Sequence, residues 1–267
     1  MRPLVLLWFV MGCSAEHYTG KAKDALDAHE LSRAEILYRK ALTRKSSHAP
    51  ALAGLGWTYL LAGQTDAARG SFDRCREVDP SSTECMRGRA SVASADGNSA
   101  LARSILDQAM GIDPHDAGVV SSLALLELVQ GDFAAAEARY DLLLARYPDK
   151  AEYRLGMAEV RIRQDREVEA VAVLEAALKL ENVPVRYQAM LHQTQARALV
   201  AATADRVDPE RCEQTAPQVR VWLAAADRSV EAARATKVEL PDLPVVRRLL
   251  RRRHAAVDAT CPIPWTE

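Results

Sequence analysis

The side chains able to do chemistry are few and scattered. Five cysteines (Cys13, Cys75, Cys85, Cys212, Cys261) and six histidines (His17, His29, His48, His115, His192, His254) stand in 267 residues. A thiol can take an acyl group, a second thiol or a metal ion, and spacing selects among them. No CxxC occurs and no cysteine has a histidine at ligand spacing, so no zinc site is expected. HExxH, GxSxG, Walker-type and GxGxxG patterns are absent as well. Glu167 and Glu169 read as a solvated helical face rather than an acid–base pair. These residues predict a protein that is not an enzyme, with no cofactor, no metal and no small-molecule substrate. The formal net charge of -1 argues against a general nucleic-acid binder. Hydrophobic residues make up 49% of the chain but aromatic ones only 5%, and alanine is plentiful, which favours close-packed helices over β-structure.

The thiol with the most telling surroundings is Cys13. Met1 and Arg2 precede an uncharged run from Pro3 to Met11, then Gly12 and Cys13, after which the chain turns polar. This is the layout of a secretory signal, and the run is too short to span a bilayer, which takes roughly 20 residues. Val10-Met11-Gly12-Cys13 resembles the lipobox of bacterial lipoproteins, although Met11 is a looser match than the usual Ala or Ser. The resemblance implies a signal peptide over 1–12 and a lipid on Cys13. Ser14 stands where Asp would retain the protein at the inner membrane, which implies anchoring at the outer membrane, on its periplasmic side. The other reading is a cleaved soluble export signal with Cys13 incidental.

The elements that position everything else repeat. Pro80, Pro114 and Pro148 are spaced by 34 residues. In the same register fall Ala34, Ala68, Ala102, Ala136 and Ala170; Tyr38, Phe72, Leu106, Tyr140 and Leu174; and Ala41, Cys75, Ala109, Leu143 and Ala177. Gly63, Gly97 and Gly131 form a further column, with His29 and Asp165 in the outer repeats. Such a period marks a stacked-repeat architecture. The repeats are 15–48, 49–82, 83–116, 117–150 and 151–184, and they resemble the tetratricopeptide repeat (TPR). The second carries Leu55-Gly56, Tyr59, Gly63, Ala68, Phe72 and Pro80 at that family's offsets. Ser46, Asn182 and Leu52 depart from the pattern. The resemblance implies an all-α, right-handed superhelical solenoid of antiparallel helix pairs. Glycine is expected to end each first helix, Asp66 and Asp132 to start second helices, and stacking to be obligatory. Beyond 184 the register loosens. Residues 185–236 read as a stretched sixth pair, with helices over 185–204 and 217–236, and 237–267 as a capping helix and tail.

With Cys13 assigned to a lipid, Cys75, Cys85, Cys212 and Cys261 remain, an even set suited to an oxidising compartment. Cys75 and Cys85 fall on helix ends that meet at a repeat junction, which favours their pairing, and Cys212–Cys261 would then tie down the tail. Alternatively Cys75 is only a small core residue in an alanine column. In TPR proteins the first helix of each repeat lines a concave groove. Carried over by position, the groove residues are Trp57, Leu61, Arg87, Leu125, Leu128, Val129, Leu155, Glu159 and Arg163. The sixth position of each repeat is tiny (Gly20, Gly54, Gly88, Ser122, Gly156), without the asparagines of the carboxylate-clamp repeats. Small residues there either open the groove or let neighbouring helices approach. An apolar helix or extended peptide suits the groove, with the cations setting its register.

The last helix offers a second surface. Arg247, Arg248, Arg251, Arg252 and Arg253 interleave with Val245, Val246, Leu249, Leu250 and Val257. It reads as a cap that packs its stripe and leaves the arginines in water, or as a basic helix lying on anionic lipid. The functional expectation is a lipid-anchored envelope scaffold that binds protein partners and aids assembly or localisation of an envelope complex. It resembles the pilotin lipoproteins of type IV pili. The second expectation is an accessory regulator of a cell-wall enzyme.

Overall fold

The computed structural model describes residues 4–204, 206 and 208–262. For residues 4–14 only the backbone is described, so the side chain of Cys13 and its expected acylation lie outside the described residues. The chain divides into two compact lobes, residues 1–139 and 140–267. The first contains α1 (Leu4–Asp27), α2 (Leu31–Arg44), α3 (Ala49–Leu61), α4 (Thr65–Val78), α5 (Thr83–Ala95), α6 (Ser99–Ile112) and α7 (Ala117–Gln130). Helix α8 (Phe133–Arg146) starts in the first lobe and continues into the second. There follow α9 (Ala151–Arg163), α10 (Glu167–Leu178), α11 (Val185–Ala202), a short 3-10 helix (Pro209–Arg211), α12 (Cys212–Ala235) and α13 (Leu243–Thr260). Among the described residues there is no strand, and no helix is long and apolar enough to cross a membrane. Consecutive helices pack as pairs: α1 with α2, α3 with α4, α5 with α6, α9 with α10 and α11 with α12.

Each repeat turns at the same point by the same means. His29, Gly63, Gly97, Gly131 and Asp165 all take positive φ, between 58° and 84°. One residue on, the amide donates to a carbonyl five residues back: Glu30 to Ala25, Gln64 to Tyr59, Asn98 to Ala93, Asp132 to Glu127 and Arg166 to Arg161, at 2.8–2.9 Å. This is the Schellman closure, which satisfies carbonyls that a helix end leaves open. Glycine enters the left-handed region without strain, so it fills the three inner positions. Start signals complement the stops. Asp116 accepts the amides of Gly118 and Val119, Asn98 that of Leu101, and Ser82 that of Cys85.

Stacking between repeats rests on an aromatic ring set into a glycine. A Cβ on Gly54 would lie 2.2 Å from Tyr38 Cζ, on Gly88 2.0 Å from Phe72 Cε1, and on Gly156 2.2 Å from Tyr140 Cζ. Tyr38, Phe72 and Tyr140 are at most 3% exposed, so none of these rings can swing aside. In each case the ring belongs to one repeat and the glycine, 16 residues on, to the next. Where the ring position is Leu106, the residue 16 on is Ser122, which has a Cβ. At Gly20 nothing lies within 4 Å of a Cβ built on it among the described residues. At Gly54, Gly88 and Gly156 the small sixth position therefore serves packing between repeats and does not widen a groove. The alanine column, Ala34 to Ala170, is buried throughout.

In the second lobe, α13 packs on α11 and α12 through Leu243, Val246, Leu250 and Val257, against Leu199, Leu223 and Val230. The expected stripe on α13 is split: Val245 and Leu249 are 43% and 45% exposed. Helix α12 starts at Cys212, not at 217, and contains Pro217. Proline suits a helix start, but local bonds begin this helix earlier. Asp208 accepts from the Glu210 amide and from Arg211 Nε, and Thr215 Oγ1 accepts from the Asp208 amide and donates to the Arg211 carbonyl. Cys212 is also bonded to Cys261 (Cα–Cα 5.4 Å), and Cys75 to Cys85 (Cα–Cα 5.7 Å). Closing the 49-residue separation of the first pair removes chain entropy worth about 4 kcal/mol on the loop model.

The ring–glycine junction predicts a compensated pair of substitutions. Gly88→Ser should destabilise the protein by about 1–3 kcal/mol, because the buried Phe72 ring must move. Adding Phe72→Leu, which reproduces the Leu106/Ser122 combination, should recover part of that loss. Urea unfolding of the two single variants and the double variant measures the coupling.

Candidate partner-binding surface

The first helices α3, α5 and α7 are neighbours in the first lobe. The 34-residue period places Trp57, Ser91 and Leu125 in one register, and Leu61, Ala95 and Val129 one turn further on. Leu61, Leu125 and Val129 are 44%, 55% and 58% exposed. They present apolar surface on one face of the lobe.

Trp57 and Arg87 lie on this face but are held by their neighbours. The indole meets Phe72 edge-on at 5.2 Å between ring centroids and donates its N–H to Glu84. The Arg87 guanidinium lies 5.2 Å from the Trp57 ring centroid and pairs with Glu84 at 2.8 Å. At the start of α7, a Cβ on Gly118 would lie 2.1 Å from Arg87 Nη1, so glycine leaves space for the guanidinium. A ladder of Trp57, Glu84, Arg87 and Gly118 thus crosses three helices. Such cation–π contacts contribute about 0.5–1 kcal/mol at partly exposed sites. Arg87 was expected to meet a partner's charge; its charge is already used within the lobe. Glu84 did not stand out in the sequence, since nothing in its spacing distinguishes it from a solvated acid.

Leu128 corrects the expected groove: it is 3% exposed and belongs to the core, because its side of α7 is covered. In the second lobe, Leu155 is half-buried and packs on the cluster built from Ala158, Leu174 and Leu191. Glu159 is bonded to Arg197 of α11. Arg163 is exposed in the last turn of α9. Leu155 and Glu159 are therefore engaged internally, and Arg163 also has an interaction of its own.

A buried carboxylate was missed. Glu127 sits in the apolar run LALLELVQ of α7 with its side chain 4% exposed. Arg139 Nε donates to it at 2.7 and 2.9 Å, and Arg103 Nη1 at 3.1 Å. Arg103 continues to Gln130 at 3.0 Å. Two cations on one buried acid meet the condition for burying charge, which is full pairing. The sequence signal was the lone acid within an apolar segment. Glu35 of α2 and Tyr59 of α3 share the same 24-residue offset as Arg103 and Glu127, and Tyr59 donates to Glu35 at 3.2 Å.

Asp116 joins the repeat boundary to the Arg87 ladder. Burial pushes its carboxyl up, but the Thr83 hydroxyl at 2.6 Å, the Val119 and Gly118 amides and the Arg87 charge outweigh burial. The net effect holds Asp116 below the usual carboxylate range. A depressed native value means that this stabilisation is present above the unfolded-state value, about 3.9, and is lost as pH falls through the native value. Asp116→Asn should therefore flatten the decline in stability below about pH 4. Thermal unfolding of both proteins across that range is the measurement, and parallel profiles would contradict it.

Paired helices, left-handed turns on a 34-residue period and rings seated on the next repeat define a helical-repeat protein. The chain belongs to the tetratricopeptide repeat family, whose models match residues 19–76, 93–154 and 128–194. It is similar to cellulose synthase operon protein C of Xanthomonas axonopodis pv. citri (strain 306), 29% identical over 197 residues. That alignment covers 71% of this chain, which spans 13% of the length of the relative. Among solved structures it is similar to a tetratricopeptide repeat protein of Parabacteroides merdae, with TM-score 0.64 and 16% identity, covering 90% of this chain and 84% of the other. PilW, a type IV pilus biogenesis factor, matches with TM-score 0.54 and 17% identity, covering 87% of this chain and 98% of PilW. At these identities the structural matches speak to fold.

Proposed function

We propose that this chain is an envelope scaffold that binds a protein partner through the apolar face of α3, α5 and α7. Leu61, Leu125 and Val129 carry the reading: three large apolar side chains are exposed, Leu61 and Val129 at equivalent positions and Leu125 one turn before Val129, while the core around them is filled. Exposed apolar side chains grouped on one face are where protein contacts gain most from leaving water. The partner presents an apolar helix or extended segment to this face. The lipobox-like Val10-Met11-Gly12-Cys13 supports anchoring by a lipid on Cys13, on the periplasmic side of a bacterial outer membrane. The role is pilotin-like: helping an envelope complex to assemble or reach its place. The fold shared with PilW fits that role.

A second reading has a specific observation behind it. The relative named for a cellulose synthase operon favours service to a polysaccharide-synthesising enzyme of the envelope, as an accessory rather than a catalyst.

Leu125→Asp with Val129→Asp should leave the helix content intact, since both side chains are exposed, and should abolish partner capture. A photo-crosslinker at Leu61 in the otherwise unchanged chain should give a discrete adduct that the double variant loses. An undiminished adduct would remove the apolar face as the site. Mass spectrometry of the mature protein should find diacylated or triacylated Cys13, and an unmodified chain starting at Ser14 would sink the anchor.

A further inference from the structure

Helix α13 presents a second surface that the partner-binding reading does not use. Its inner side is committed to the core through Leu243, Val246, Leu250 and Val257. On the outer side, Val245, Arg248, Leu249, Arg252 and Ala256 follow at three- and four-residue steps and so share one face. All five are exposed, Val245 and Leu249 at 43% and 45%. Arg247, Arg251 and Arg253 lie round the sides of the helix, away from that face, and no acidic residue stands between Asp242 and Asp258. Among the described residues none of the five arginines has a carboxylate partner. Asp227 faces His254 of the same helix at 2.9 Å, and Asp258 pairs with Arg220 of α12 at 3.3 Å. Cys212–Cys261 fixes the end of the helix to the start of α12.

We infer that the outer face of α13 rests on an anionic phospholipid surface. Complementary charge supplies the attraction, and two apolar side chains between the cations give it depth. The geometry favours lipid over an acidic protein. Arg248 and Arg252 share the outer face with Val245 and Leu249, and the other three arginines stand round the sides of the helix, with no fork aimed at one point. A fluid layer of headgroups can meet cations of irregular placement, whereas a folded acidic partner must match their spacing. Each cation near such a surface raises partitioning about fivefold, the equivalent of about 1 kcal/mol. The inference does not depend on acylation of Cys13, because the test varies vesicle charge and not chain insertion.

The full chain carrying Cys13→Ser is sedimented with vesicles of phosphatidylcholine alone, or with about one quarter phosphatidylglycerol. Binding is expected only to the anionic vesicles and should weaken with added salt. Arg248→Glu with Arg252→Glu should lower the partition coefficient at least tenfold, and Leu249→Ser several-fold, at unchanged helix content and thermal midpoint. Arg228→Glu, an exposed cation on α12, should leave binding unchanged. If the double reversal disturbs folding, Arg248→Gln with Arg252→Gln is expected to give the same direction of change. Three results would each overturn the inference: equal binding to both vesicles, equal loss in Arg228→Glu, or displacement from anionic vesicles by soluble polyglutamate at matched charge. The last would identify a site for acidic protein.

Discussion

An aromatic ring pressed onto a backbone that has no Cβ is the contact on which the rest of this molecule depends. Tyr38, Phe72 and Tyr140 each reach from the second helix of one repeat to a glycine on the first helix of the next. A repeat cannot bury such a ring by itself, so the ring makes stacking favourable and the glycine sets how close the stack is. Aromatic residues are only 5% of the chain, and these three are placed where each joins two repeats. Once α5 is held at that distance from α3, Trp57 can reach both Phe72 and Glu84, and Arg87 can lie over the indole. The polar ladder on the surface is a consequence of the buried notch beneath it.

That ladder decides what is left for a partner. Arg87, Glu84 and Glu159 carry charge on the first helices, yet each is paired within its own lobe. Glu127 is clamped by Arg103 and Arg139 below the surface. Internal pairing consumes the charges that a position-by-position reading would assign to recognition. What remains exposed on this face of the first lobe is apolar. On α13 the situation is reversed, since among the described residues the arginines there find no internal acid and the inner stripe is used by the core.

Much of the architecture was legible because it is local. The turn after each first helix requires a left-handed residue, and only a few residue types tolerate one, so Gly63, Gly97 and Gly131 announce the period. His29 and Asp165 take the same conformation, held by the same closing hydrogen bond, although neither is glycine. The alanine columns were equally plain, since a small residue repeated on one helix face marks a close approach. Less of the site was legible. Periodicity declares that Leu125 and Leu128 recur, but not that one is 55% exposed and the other 3%. It made the sixth position small without saying whether a partner or a neighbouring ring fills the space. It also offered Pro217 as a helix start, which bonds among Asp208, Arg211 and Thr215 displace.

The sequence by itself determined the repeat length, the pairing of helices within a repeat and the residues that turn the chain, because these follow from backbone preferences acting over a few residues. Only the tertiary structure decided which small residues receive a ring, which charges are spent on one another and which apolar side chains stay in water. Most of those outcomes depend on atoms brought together from 12 to 38 residues apart in the chain. At such separations contact is set by how the helices pack, and packing is not written at any single position.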